Sequence, residues 1–246
     1  MTVGRWLDEA PFTLALSAGF FGFYSHTGLL AALEAAGLRP RRIVGVSAGS
    51  LAGGLWAAGL GADAIAAELL ALRRPDFWDP GLPLFGLLRG RKFEDHLRRV
   101  LAPTGVTTVE GCGVEFVSIA HDVVGRRTLP LHTGDLAKAI RASCTVPLMF
   151  RPLWWQGRVL VDGGVSDRIG RTAFAPDERV LLHYIPSRSR WRRPPIPTRL
   201  AGVDAKILVT PGVPALGPFA LQDAAAALEV TRDHARTWLD GPAAGP

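Results

Sequence analysis

Apolar residues fall into short runs separated by glycine, proline and charge, and the spacing within those runs alternates between strand-like and helix-like. Residues 12–17 form a strand-length apolar run, followed by a glycine-containing turn and a helical stretch at 26–36 that Gly37 can close. Residues 41–46 predict a second strand, which leads directly into Ser47. The Ala-, Leu- and Gly-rich residues 48–60 then predict a buried helix. Strand, helix, strand, helix in this order is the pattern of a parallel sheet with crossover helices. Further helices are expected at 63–72, 92–101, 135–144 and 223–239, and strands at 115–120, 159–162, 179–185 and 205–210. Two segments, 74–90 and 187–199, are broken by proline and glycine; each either borders an active site or connects elements. No internal repeat is present, and residues 241–246 are expected to form a mobile tail.

Composition narrows the class. With 246 residues, 48% of them apolar, residues 1–246 are expected to build one α/β domain around one core. Two cysteines, Cys112 and Cys144, cannot form the dense disulfide framework of small secreted domains, so a reducing cytoplasm is expected. The first residues place Asp8 and Glu9 after a short apolar patch, unlike a secretory signal. Apolar runs elsewhere stay below the roughly 18 residues that a spanning helix needs. A protein that touches a membrane without crossing it fits these limits.

The net charge of +6 is partly local, because Arg188, Arg190, Arg192 and Arg193 surround Trp191. That cluster is either a solvated loop or a peripheral contact with anionic lipid. No recognition motif for nucleic acid accompanies the charge, so nucleic-acid binding is not expected. The oligomeric state has no signature in the sequence.

The candidate chemistry lies in two places. Gly45-Val46-Ser47-Ala48-Gly49 fits G-x-S-x-G, a tight strand-to-helix turn that projects a serine hydroxyl at the positive end of the following helix. The competing reading is a serine that only caps the helix, although a cap needs neither flanking glycine. Activating a serine takes a general base, usually histidine, but a well-held carboxylate also serves. Of the six histidines, none ends an apolar strand or adjoins a glycine turn, so His183 and His234 read as structural. By contrast, Asp162 ends the apolar run 159–161 and precedes Gly163 and Gly164, placing a carboxylate at a strand's carboxyl edge, where the Ser47 turn must also open. A plain Asp-Gly turn is the alternative there.

Together these residues resemble the patatin-like phospholipase family. Residues 12–60 resemble its first strand, loop, helix and serine turn, with His26 and Gly28 at its His-x-Gly position. Ala142-Ser143-Cys144-Thr145-Val146-Pro147 resembles its later helix-to-proline segment, and Asp162-Gly163-Gly164 its Asp-Gly-Gly element; the likeness covers residues 12–167. The resemblance implies a three-layer α/β/α fold with a mainly parallel sheet. It further implies a Ser47–Asp162 dyad without histidine, cleaving phospholipids or related acyl esters with no metal or other cofactor. It also places a backbone oxyanion hole at Ala18, Gly19 and Phe20. Here the chain departs from the family, whose loop is usually Gly-Gly-Gly-x-Arg-Gly: only Gly19 is kept, and Gly22 stands at the arginine position. Losing one donor from such a hole costs roughly 3 to 4 kcal/mol of transition-state stabilisation. A catalytically silent lipid-binding or scaffold protein is therefore the alternative function. Phe20, Phe21, Phe23 and Tyr24 are candidates for an acyl pocket, with core packing as the competing role. The stretch 165–174 also lacks the family's Asn-Pro.

Overall fold

The computed structural model describes residues 1–81, 86–187, 195–217 and 221–243. A short helix α1 (Val3–Asp8) leads into β1 (Thr13–Leu16), α2 (Phe23–Ala35), β2 (Arg42–Val46), α3 (Ala48–Ala57) and α4 (Ala62–Ala71). A helical turn α5 (Arg74–Phe77), β3 (Gly86–Leu88) and α6 (Arg91–Leu101) follow, and then β4 (Glu115–Asp122), β5 (Arg127–Leu131) and α7 (Leu136–Ser143). The chain continues through β6 (Leu148–Phe150), β7 (Leu153–Trp155), β8 (Arg158–Asp162), β9 (Glu178–His183), β10 (Val203–Leu208) and α8 (Ala224–Asp240).

The central sheet runs β10-β9-β1-β2-β4-β8-β7, with β5 also on β4. β10, β9, β1, β2 and β4 are mutually parallel, as the alternation of strands and helices predicts, whereas β5, β7 and β8 run antiparallel to their neighbours. Because side chains alternate across a strand, Leu14, Leu16 and Ile43 enter one core, and Ala15, Val44 and Val46 enter the other. Helices cover the first face. The layer on the second face is thin, formed by Ile169, Ala173, Phe174, Leu200 and neighbouring residues. α2 lies between the sheet side and α8, and Gly28 lets them meet: a Cβ there would stand 2.3 Å from the Leu228 carbonyl oxygen.

Several expectations change. Segment 74–90 holds α5 and β3, and β3 pairs with β6 in a separate two-stranded sheet. α2 starts at Phe23, three residues before the expected position. The expected mobile tail is pinned over residues 241–243, where Val3 N–H donates to Gly241 O at 2.9 Å and Ala243 N–H to Met1 O at 2.9 Å. Residues 244–246 lie outside the described residues. So do Arg188, Arg190, Trp191, Arg192 and Arg193. No helix among the described residues is long and apolar enough to cross a membrane.

Candidate active site

The sharp turn at Ser47 follows from three close approaches. A Cβ on Gly49 would lie 2.0 Å from Leu16 O, and one on Gly45 would lie 2.5 Å from Ser50 Cα. Gly53, one helical turn beyond Gly49, sits against Ile43. α3 therefore packs on β1 and β2 through glycines, at a helix-propensity cost that the close approach offsets. Ser47 itself adopts φ 53°, ψ −117°, a strained conformation for a residue with a side chain. Its hydroxyl makes no capping bond to the helix, which removes the reading of Ser47 as a helix cap. Gly49→Ala is expected to destabilise the fold by more than about 3 kcal/mol. Chemical denaturation, compared with Gly61→Ala, which meets open space, checks it.

The end of α7 grips this turn. The Ser143 hydroxyl accepts the Ser47 N–H at 2.8 Å, and the Cys144 thiol donates to Ser47 O at 3.1 Å. The helix-to-proline segment is legible in the sequence; this role is not, because it depends on where the helix ends in space. Cys144 is a poor nucleophile there, since burial and the nearby Asp162 carboxyl push its thiol pKa well up.

Asp162 arrives from an unexpected direction. β2 pairs with Glu115–Phe116–Val117–Ser118–Ile119 of β4, and β8 pairs with Ala120–His121–Asp122. β5 spans 118–122 and overlaps both, so β2 and β8 must share the opposite edge of β4. They meet there tip to tip: Val46 is level with Ile119, and Asp162 with Ala120. Asp162 does end its strand at the carboxyl edge, beside the Ser47 turn, but on a strand that runs antiparallel to β4 instead of within the parallel half. The reason is the β7–β8 hairpin, whose two loop residues, Gln156 (φ 50°) and Gly157 (φ 71°), turn the chain back. Gly163 then passes beneath Ile119, where a Cβ would stand 2.3 Å from the carbonyl oxygen.

Ser47 and Asp162 line one open mouth with Gly19, Phe20, Val146, Pro147 and Arg168, and the Ser47 hydroxyl lies near enough to the Asp162 carboxyl to favour its ionised form. Gly164 N–H donates to Asp162 Oδ1 at 2.7 Å. Burial raises the Asp162 pKa to about 6, against the lowering effects of the Ser47 hydroxyl, the Gly164 N–H and the Arg168 charge. That is a suitable strength for a base near neutral pH.

The loop after β1 supplies one wall. Ala18 N–H donates to Arg168 O at 2.8 Å, so that donor is already committed and Ala18 leaves the candidate oxyanion hole. Gly19 and Phe20 N–H groups have no partner among the described residues and border the mouth. Arg168 Nη2 donates to Ala18 O at 3.1 Å and Ile185 O at 3.3 Å, tying the loop down from outside. Arg168 is itself fixed by its neighbour. Asp167 accepts the N–H groups of Ile169, Gly170, Arg171 and Thr172 and the Thr172 hydroxyl, which organises the stretch that lacks Asn-Pro.

Beneath the loop lies a buried histidine pair. His26 Nε2 lies 2.9 Å from Ser17 O and must carry the proton there, so His26 Nδ1 accepts from His183 Nδ1–H at 2.9 Å. Burial lowers His26 to about 4 and His183 well below the usual histidine range, keeping both neutral. No histidine among the described residues lines the mouth or the pocket behind it, which leaves a histidine-based hydrolase without its base.

That pocket opens beside Ser47. Phe20, Phe21, Phe23, Leu51, Leu72, Phe77, Phe93, Met149 and Phe150 line it, so three of the four candidate aromatics belong to the wall. Tyr24 does not. It is buried and its hydroxyl donates to Leu69 O at 3.0 Å, because the early start of α2 turns it toward α4. The wall therefore presents an apolar chain-sized surface next to the Ser47 hydroxyl and the Asp162 carboxyl.

Known proteins are similar to this chain in sequence and in fold. An uncharacterized NTE family protein of Mycobacterium bovis is 33% identical over 63% of this chain and 42% of its own length. The lysophospholipase NTE1 of Meyerozyma guilliermondii is 27% identical over 69% of this chain and 12% of its own. The chain thus spans less than half the length of these curated relatives. Among solved structures, VipD from Legionella pneumophila superposes with a TM-score of 0.51 over 94% of this chain and 67% of that one, at 11% identity, a likeness of fold. A model of the patatin-like phospholipases matches residues 14–175, from β1 to just beyond the Asp167 turn, and the chain belongs to that family.

Proposed function

We propose that this protein is a serine acyl hydrolase that cleaves ester bonds of phospholipids or lysophospholipids, with Ser47 as nucleophile and Asp162 as base. The observation that carries the reading is the strained serine, sharing one open mouth with a buried carboxyl of raised pKa, at the entrance of an apolar pocket. A relative described as a lysophospholipase supports the same substrate class.

In this reading the acyl chain lies among Phe21, Phe23, Phe77, Phe93 and Phe150, with the ester at the mouth. Ser47 Oγ attacks the carbonyl carbon while its proton passes to Asp162. The developing oxyanion is held by the Gly19 and Phe20 N–H groups and by the positive end of α3. The intermediate collapses, the carbon–oxygen bond to the alcohol breaks, and Asp162 returns the proton to that alcohol. A water, deprotonated by Asp162, then attacks the acyl-serine; the fatty acid leaves and the Ser47 hydroxyl is restored.

A fluorophosphonate probe is expected to label the folded protein at Ser47, located by peptide mass spectrometry, and to label Asp162→Asn far more slowly. An unlabelled Ser47 in folded protein would favour the silent lipid-binding alternative, for which the committed Ala18 N–H is the supporting observation.

A further inference from the structure

The lip between the mouth and the apolar pocket carries a residue that nothing in the reaction uses. Leu148, the first residue of β6, has φ 69° and is 82% exposed. A leucine gains nothing locally from a left-handed backbone, since its Cβ crowds the following carbonyl. A bulky apolar side chain held in strain and pointed at water is the kind of outlier from which a function is inferred. Its neighbours place it: Pro147 lines the mouth with Ser47 and Asp162, and Met149 lines the apolar pocket. Phe20, which lines both cavities, is 56% exposed, and so is Leu87 on β3, the strand paired with β6.

Cations stand close by in the chain. Arg89 follows β3, and Arg91 and Lys92 begin α6; all three are exposed. Asp79 accepts the backbone N–H groups of Gly90, Arg91 and Lys92, so it braces the turn without pairing their side-chain charges. Glu94 is taken by Arg98 and Arg141. Arg89 and Arg91 form no ion pair among the described residues, leaving positive charge beside the exposed apolar side chains.

We propose that Leu148, Phe20 and Leu87 insert into the surface of an anionic phospholipid membrane, with Arg89 and Arg91 on its head groups, so that the pocket opens directly onto the lipid. A membrane suits this surface better than a folded partner. The apolar side chains stand as separate points around an opening that an acyl chain has to cross, and the flanking charge complements anionic head groups. The proposal rests on the reading of the mouth as the acyl-ester site, and it concerns residues other than the arginine cluster at 188–193.

The test measures co-sedimentation with vesicles of phosphatidylcholine containing phosphatidylserine, for the wild type, Leu148→Gly and Leu148→Asn. Both substitutions suit a left-handed backbone and remove the apolar side chain. Each is expected to weaken partitioning about tenfold, while Leu148→Gly raises Tm by about 2–4 °C through relief of strain. The ratio of vesicle to soluble short-chain ester hydrolysis is expected to fall in parallel. Unchanged partitioning of both variants overturns the proposal, as does a wild type that hydrolyses soluble ester without binding vesicles. Sedimentation velocity showing a dimer that Leu148→Asn dissociates would assign the surface to a second copy instead. Vesicle binding without fluorophosphonate labelling would remove the hydrolase reading and leave the membrane surface standing.

Discussion

Replacing Ser47 by alanine is expected to lower kcat on a short-chain ester by at least about ten-thousand-fold, with the fold intact. No other hydroxyl or thiol stands in its place: Ser143 is spent on the Ser47 N–H, and the half-buried Cys144 donates its thiol to Ser47 O with its pKa raised. Stability separates the two available substitutions. Holding a side chain at φ 53°, ψ −117° costs on the order of 1–3 kcal/mol. Alanine keeps that cost. Glycine removes it while gaining unfolded-state entropy of about 0.5–1 kcal/mol, so Ser47→Gly is expected to be more stable than the wild type by about 1 kcal/mol. Thermal unfolding with parallel ester assays checks both statements. Ester turnover by Ser47→Ala would sink the nucleophile assignment, and a Ser47→Gly protein less stable than wild type would show that the turn is not strained.

The second large effect belongs to Asp162. Asp162→Asn is expected to reduce kcat/KM between about a hundred- and ten-thousand-fold, the range that general bases contribute. In the wild type, activity should fall as pH drops through about 6, because the base must be ionised. Stability moves the opposite way. The folded pKa of about 6 lies above the ordinary aspartate value of 3.8, so folding favours the protonated carboxyl. That stabilisation is fully present below 3.8 and is lost as pH rises through 6, a swing on the order of 3 kcal/mol. Asp162→Asn can still accept the Gly164 N–H and carries no buried charge, so its Tm should exceed that of the wild type at pH 8 and approach it near pH 4. Full activity in the asparagine variant, or a wild-type pH profile flat from 5 to 8, would reject the base role.

What the sequence made readable follows from how local each constraint is. The Ser47 turn was legible because Gly45, Gly49 and the serine that they flank lie within five residues. The parallel half of the sheet was legible because apolar strands and helices alternate. Strand direction at Asp162 was not, since five apolar-rich residues look alike whichever way they run. Its one local cue was Gln156-Gly157 between two short strands, the signature of a two-residue hairpin loop. Tyr24 takes the competing core role for a related reason: with Gly22 ending the loop, α2 starts at Phe23 and carries Tyr24 into the core. Arg168 and Asp167 depended on contacts with residues about 150 positions away and on a turn whose shape only the coordinates reveal.

The meeting of β2 and β8 on one edge of β4 divides the reaction between two pieces of architecture. Ser47, the proposed nucleophile, belongs to the rigid parallel half, braced by a helix packed on glycines. Asp162, the proposed base, belongs to a hairpin that holds β4 through three residues. A change in hairpin length or twist can therefore move the proton acceptor by fractions of an ångström while the serine stays where it is, so substrate preference and reactivity can diverge among relatives that share one scaffold.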